Sequence, residues 1–131
     1  MGIGSIRNLD YVVLLCEDLA RARQFYLDVM QFRIERETPR WVSFHVGSGL
    51  LCLRPRTLEG VFQDGPGGPT GSASVQLAFR VSPPEIDECQ TELAAKGVEL
   101  MGPPREIPSW GHRAIFFRDT EGNVIEIYAE V

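Results

Sequence analysis

Two periods of hydrophobicity alternate along this chain and set out its elements. Leu9 to Cys16 is short, β-branched and apolar on both sides, which predicts a buried strand with Tyr11, Val13 and Leu15 on one face. Asp18 then caps a helix whose apolar positions Leu19, Ala22, Phe25, Tyr26, Val29 and Met30 recur at helical spacing. Strands are expected next at Phe32 to Glu37, Trp41 to Val46 and Leu50 to Arg54, with Gly47-Ser48-Gly49 as a hairpin turn. From Pro55 to Gly71 no period survives among the glycines and prolines. A linker is expected there, with Val61 and Phe62 able to fold back as a lid.

The pattern then repeats. Ser74 to Val81 predicts a strand, and Pro83-Pro84 opens a helix through Ile86, Cys89, Leu93 and Ala94 that Gly97 ends. Strands follow at Val98 to Met101, Arg113 to Arg118 and Asn123 to Ala129, the first two separated by the Pro103 to Trp110 loop. A βαβββ unit has one helix for one sheet and leaves the other sheet face apolar and open, so two such units are expected to curl together around a cleft. The expected fold is α+β, a single domain over 1–131 made of paired βαβββ modules at about 8–55 and 73–131, joined by a linker at about 56–72. Its curved mixed sheet surrounds the cleft, with the helices outside.

Composition narrows the function. Hydrophobic residues at 44% and charged residues at 24% suit a globular chain rather than a disordered one. A net charge of -5 argues against a nucleic-acid partner and leaves a neutral or cationic small ligand. Cys16, Cys52 and Cys89 lie far apart with no C-x-x-C, so neither a disulfide framework nor a zinc knuckle is suggested, and a reducing cytoplasm fits. No signal segment, membrane span or membrane partner is expected.

The last strand poses the chemical question. Alternation sends Val124, Glu126 and Tyr128 to one face and Ile125, Ile127 and Ala129 to the core face. A carboxylate in the middle of a strand is costly to bury without a cation, a metal or several donors beside it.

The opening Leu9-Asp10-Tyr11-Val12-Val13 with Asp18-Leu19 and Phe25-Tyr26, and the closing Phe117-Arg118-Asp119-Thr120-Glu121-Gly122-Asn123 with Ile125-Glu126-Ile127, carry a family likeness. In them the chain resembles the vicinal oxygen chelate superfamily, which includes glyoxalase I, extradiol dioxygenases, fosfomycin-resistance enzymes and bleomycin-resistance proteins. The likeness runs from Leu9 to Glu130, with Thr120 in place of the family's usual proline. It implies a homodimer. It also implies ligand positions at Tyr11, Cys52, Gln76 and Glu126, of which Glu126 alone is the residue type that metal-dependent members use most. Tyr, Gln and one Glu make a poor set for a transition metal, so no cofactor and no catalytic metal are expected; a divalent metal, if held, would take Gln76 and Glu126. The other reading is that Tyr11, Gln76 and Glu126 hydrogen-bond one another or water.

The leading expectation is a protein of this family that binds a small aromatic or amphipathic molecule in an apolar cleft, with Tyr11, Cys52, Gln76, Trp110, Glu126 and Tyr128 as its ligand-binding residues. The alternative is a divalent-metal-dependent lyase or extradiol-type dioxygenase with a reduced ligand set. Should the cleft do chemistry, Glu126 and His112 are the candidate catalytic residues; for His112 an edge or structural place is the competing expectation. Cys52, between Leu51 and Leu53, is expected to be a buried inert thiol, and Arg54 and Arg113 either hold an anion or end their strands in solvent.

Overall fold

In a computed structural model, which describes residues 2–69 and 71–131, the chain divides into two compact units, Met1–Gly67 and Gly68–Val131. The fold is α+β, with one βαβββ arrangement in each unit. No helix among the described residues is long and apolar enough to cross a membrane.

The first unit runs β1 (Tyr11–Cys16), α1 (Leu19–Gln24), β2 (Arg33–Thr38), β3 (Trp41–Val46) and β4 (Gly49–Pro55). Its sheet has the order β1-β4-β3-β2, with β1 parallel to β4 and the other neighbours antiparallel. Asp18 caps α1 as expected, accepting from Arg21 N at 3.0 Å. The helix widens into a π-helical turn at Phe25–Val29 instead of continuing regularly to Met30. That wider turn lets two successive aromatic residues, Phe25 and Tyr26, both be buried. Tyr26 packs within 6.2 Å of the rings of Phe32 and Phe44, and Leu14, Cys16, Val42, Leu51 and Leu53 complete this core.

The second unit runs β5 (Gln76–Arg80), α2 (Glu85–Ala95), β6 (Arg105–Ile107), β7 (His112–Arg118) and β8 (Val124–Glu130), in the order β5-β8-β7-β6. Helix α2 buries Ile86 and Leu93 against the face of β7 and β8 that carries Ile115, Phe117, Ile125 and Ile127. Glu85 accepts from Ser82 N at 3.0 Å, which supports the first turn of α2 where its Pro84 cap offers no side chain.

The strand expected at 98–101 is not formed. Met101 N donates to Phe116 O at 2.8 Å, but Gly102 turns the chain away and Pro103 and Pro104 have no N–H to extend a ladder. The edge strand is β6 instead, inside the stretch expected to be a loop, pairing Arg105 with Ala114 and Ile107 with His112.

The stretch that follows β4 in the first unit is more ordered than its composition suggests. Arg54 grips Asp64 through two bonds of 2.8 Å, and Asp64 also accepts from Thr57 N at 2.8 Å. Arg54 therefore neither ends its strand in solvent nor stands free for an anion. Its guanidinium lies 4.1 Å from the ring centre of Phe62, which fixes that residue while Val61 stays exposed.

Candidate functional site

Cross-strand register decides which side chains share the sheet face opposite the helix. In the second unit Ala78 pairs with Glu126, Phe116 with Glu126 and Ala114 with Tyr128, so Gln76, His112, Glu126 and Tyr128 lie on that one face. Glu126 is 3% exposed. Its Oε1 accepts from Gln76 Nε2 at 3.1 Å, while its Oε2 is buried with no hydrogen-bond partner among the described residues.

His112 closes on the same carboxylate. Its Nδ1 lies 3.7 Å from Glu126 Oε2, too far for a hydrogen bond, and is likewise buried without a partner. The approach is permitted by Ala114, which stands between His112 and Phe116 on this face of β7 and fills almost no space. The imidazole is clamped by the Tyr128 ring, stacked at 4.1 Å and 17°, and by Trp110 edge-on at 6.0 Å. Trp110 belongs to a short 3-10 turn, Pro108–Trp110, that Gly111 ends, and it is 59% exposed.

Thus Gln76, Trp110, Glu126 and Tyr128, expected from the sequence to serve one site, form one cluster with His112 at its centre. Nothing in the linear sequence pairs His112 with Glu126; the signal lay in the hairpin register, which sets positions 112, 114 and 116 on the face of 126, 128 and 130.

Tyr11 and Cys52 belong to the first unit. Tyr11, 53% exposed, stands edge-on to Trp41 at 6.4 Å and lines a cavity of about 480 Å³. Val13, Trp41 and Phe62 supply the rest of its apolar wall, and Arg40, Arg54 and Thr57 its polar groups. Arg40 and Thr57 carried no sequence signal, since both sit in turns or loops without periodicity. Cys52 pairs across the sheet with Ser43, is 1% exposed and is not part of the cavity wall. Burial, and after it the charge of Glu35, raises its thiol pKa above the ordinary value, which keeps it protonated and unreactive. Ser43 donates to Glu35 Oε1 at 2.6 Å where a bulge shifts the register between Ile34 and Arg36.

A transition-metal centre in this architecture needs three or more strong protein donors. Among the described residues no group of three His, Cys, Asp or Glu side chains converges. The orphaned pair Glu126 and His112 offers two, and the Gln76 amide nitrogen faces Glu126.

A family profile described as Glyoxalase/Bleomycin resistance protein/Dioxygenase superfamily matches residues 8–127. A virulence protein of Salmonella typhimurium, STM3117, is 27% identical over 93% of this chain and 83% of its own length. The crystal structure of a glyoxalase/bleomycin resistance protein/dioxygenase from Nocardioides is similar with a TM-score of 0.84 and 25% identity, over 97% of this chain and 85% of that one. A lactoylglutathione lyase from Agrobacterium tumefaciens shares the fold, with a TM-score of 0.75 and 23% identity over 93% of this chain and 92% of that one.

Proposed function

This chain belongs to the Glyoxalase/Bleomycin resistance protein/Dioxygenase superfamily, and from that premise we propose that it binds a small aromatic or amphipathic molecule in an apolar cleft without a catalytic metal. The observation that carries the reading is the cavity of about 480 Å³ on the open face of the first sheet, walled by Tyr11, Val13, Trp41 and Phe62. Its volume falls in the range of small-molecule sites, and apolar walls with few polar groups are their usual anatomy. Cys52 offers such a molecule no nucleophile, because its thiol is held protonated. In the second unit, taken by itself, a ligand-binding role is proposed for Gln76, Trp110, Glu126 and Tyr128. The protein is further proposed to act as a homodimer in a reducing cytoplasm.

Titration of chelator-stripped protein with 1-anilinonaphthalene-8-sulfonate, an amphipathic aromatic probe, tests the reading. Saturable binding is expected, weakened about tenfold or more by Trp41→Ala, because the lost ring contact is worth about 1.5–3 kcal/mol. Unchanged affinity in that variant places the ligand elsewhere. Calorimetry with zinc, nickel, manganese and, anaerobically, ferrous iron tests the metal-free part: tight stoichiometric uptake abolished in Glu126→Gln would overturn it in favour of a metal-dependent lyase or dioxygenase.

A further inference from the structure

We infer that the cavity of the first unit takes an aromatic anion, and that Arg40 is the residue that holds its acidic group. The inference deepens the reading that a small aromatic or amphipathic molecule is bound there, and rests on it.

The cavity wall carries two guanidinium groups, from Arg40 and Arg54, and no carboxylate. Arg54 is already spent, because its two bonds to Asp64 take both carboxylate oxygens and offset its charge, while its plane lies against Phe62. Thr57 is spent as well, since its hydroxyl donates to Glu59 O and accepts from Glu59 N, each at 3.2 Å. Arg40 is different. Its side chain makes no ion pair and no hydrogen bond among the described residues, and Glu37, the acid nearest to it in the sequence, is taken by Arg23. Pro39 and Arg40 form a two-residue turn, with Thr38 paired to Trp41 across it and the Thr38 hydroxyl accepting from Arg40 N at 3.4 Å. That turn sets an uncommitted cation beside the aromatic wall that begins at Trp41.

The other uncommitted polar groups of the wall donate too. Trp41 Nε1–H and the Tyr11 hydroxyl have no hydrogen-bond partner among the described residues, and of the three groups only the phenol can also accept. An occupant is therefore asked for acceptors and for a negative charge. A carboxylate brings both and can meet the guanidinium through two parallel bonds. An alcohol brings an acceptor without the charge, and an ammonium brings only donors and a like charge. The rings of Tyr11, Trp41 and Phe62 cover the aromatic body. The overall charge of -5 points toward a neutral or cationic ligand, but it is screened over about 8 Å at physiological salt, so the groups of the wall itself decide.

Three probes of one shape separate the outcomes: 2-naphthylacetate, 2-naphthylethanol and 2-naphthylethylamine, titrated by calorimetry into chelator-treated protein. The acid is expected to bind at least about fivefold more tightly than the alcohol, the upper end for an exposed ion pair, and the amine most weakly. Arg40 is exposed in a turn, so Arg40→Gln leaves the fold intact; in it the acid falls to the affinity of the alcohol while alcohol binding is unchanged. Trp41→Ala weakens all three. A smaller margin for the acid in the native chain, or a preference that survives Arg40→Gln, overturns the anion site and leaves the aromatic-ligand reading standing. Failure of all three probes to bind, or binding that Trp41→Ala does not weaken, overturns both.

Discussion

Replacing Glu126 by Met should make the protein more stable. Glu126 is 3% exposed and leaves Oε2 unpartnered. An unsatisfied buried polar group costs about 1–3 kcal/mol, and more when charged. Methionine has similar length, so its burial removes that cost and adds about 1.5 kcal/mol of apolar transfer. The loss of the Gln76 bond works against it by about 1.5–3 kcal/mol, softened because Gln76 is exposed and can turn to water. The net expectation is a gain of about 1–2 kcal/mol, in line with the usual result of replacing unfavourable buried charge by apolar volume. For cooperative unfolding of 131 residues, at an unfolding entropy of about 2.1 cal/mol/K per residue, this corresponds to a Tm about 4–7 °C higher. Thermal melts followed by far-ultraviolet circular dichroism at neutral pH measure it. A Tm lowered by several degrees would refute the reasoning, since it would mean that Glu126 anchors a satisfied network and that its orphaned oxygen is not a cost.

Gly122→Ala should destabilise the protein by roughly 2 kcal/mol or more, because Gly122 has φ +86° and an added Cβ would lie 2.9 Å from the Gly71 carbonyl carbon, whereas Gly47→Ala, at φ +56° with open space around it, should cost only about 1 kcal/mol; urea midpoints of the two variants compare them. Arg54 holds the Asp64 carboxyl down to about 2 from 3.8, so the stabilisation is complete above about pH 4 and lost as pH falls through 2. The Tm difference between the native chain and Asp64→Asn should accordingly be nearly constant above pH 4, shrink as pH falls toward 2 and vanish only below it, and a difference that instead changes between pH 5 and 8 would exclude this pair as its source. Cys16 and Cys52, both 1% exposed and Cys52 with a raised thiol pKa, should resist iodoacetamide in the native state at pH 8 and react after unfolding in urea, as mass spectrometry of the alkylated peptides would show.

The sequence carried what depends on local pattern. Alternation along β8 set Glu126 on a different face from Ile125 and Ile127, and Asp18 announced the start of α1 through a side-chain bond to its own first turn. What escaped it depends on pairs remote in sequence or on backbone detail. Val98 to Met101 has the apolar character of a strand, yet Gly102, Pro103 and Pro104 hand the edge of the sheet to Arg105–Ile107, whose composition gives no such signal. Asp64 sits in a glycine- and proline-rich run like any solvated acid, and only the folded chain shows it in the grip of Arg54. His112 looked like a residue of the strand edge because the small neighbour that lets it reach Glu126, Ala114, is informative only once the register of β7 on β8 is known.

The two units use one sheet face in opposite ways, and the difference traces to a few matched positions. Cys52 and Glu126 correspond, since each lies opposite the third residue of its unit's first strand, Val13 and Ala78. A thiol held protonated needs no compensation, so its surroundings in the first unit are free to be apolar, and the face there opens into an aromatic cavity. A carboxylate at the matching place demands donors. Gln76 stands where the first unit has Tyr11, and its amide reaches Glu126 as a phenol in that place would not need to reach Cys52. Ser43 opposite Cys52 matches Phe116 opposite Glu126, so two residues earlier Trp41 matches Ala114. The indole that builds the wall of the first cavity would, at position 114, crowd the approach of His112 to Glu126. An aromatic wall and a reachable imidazole are therefore mutually exclusive at this site, and each unit has settled on one of them.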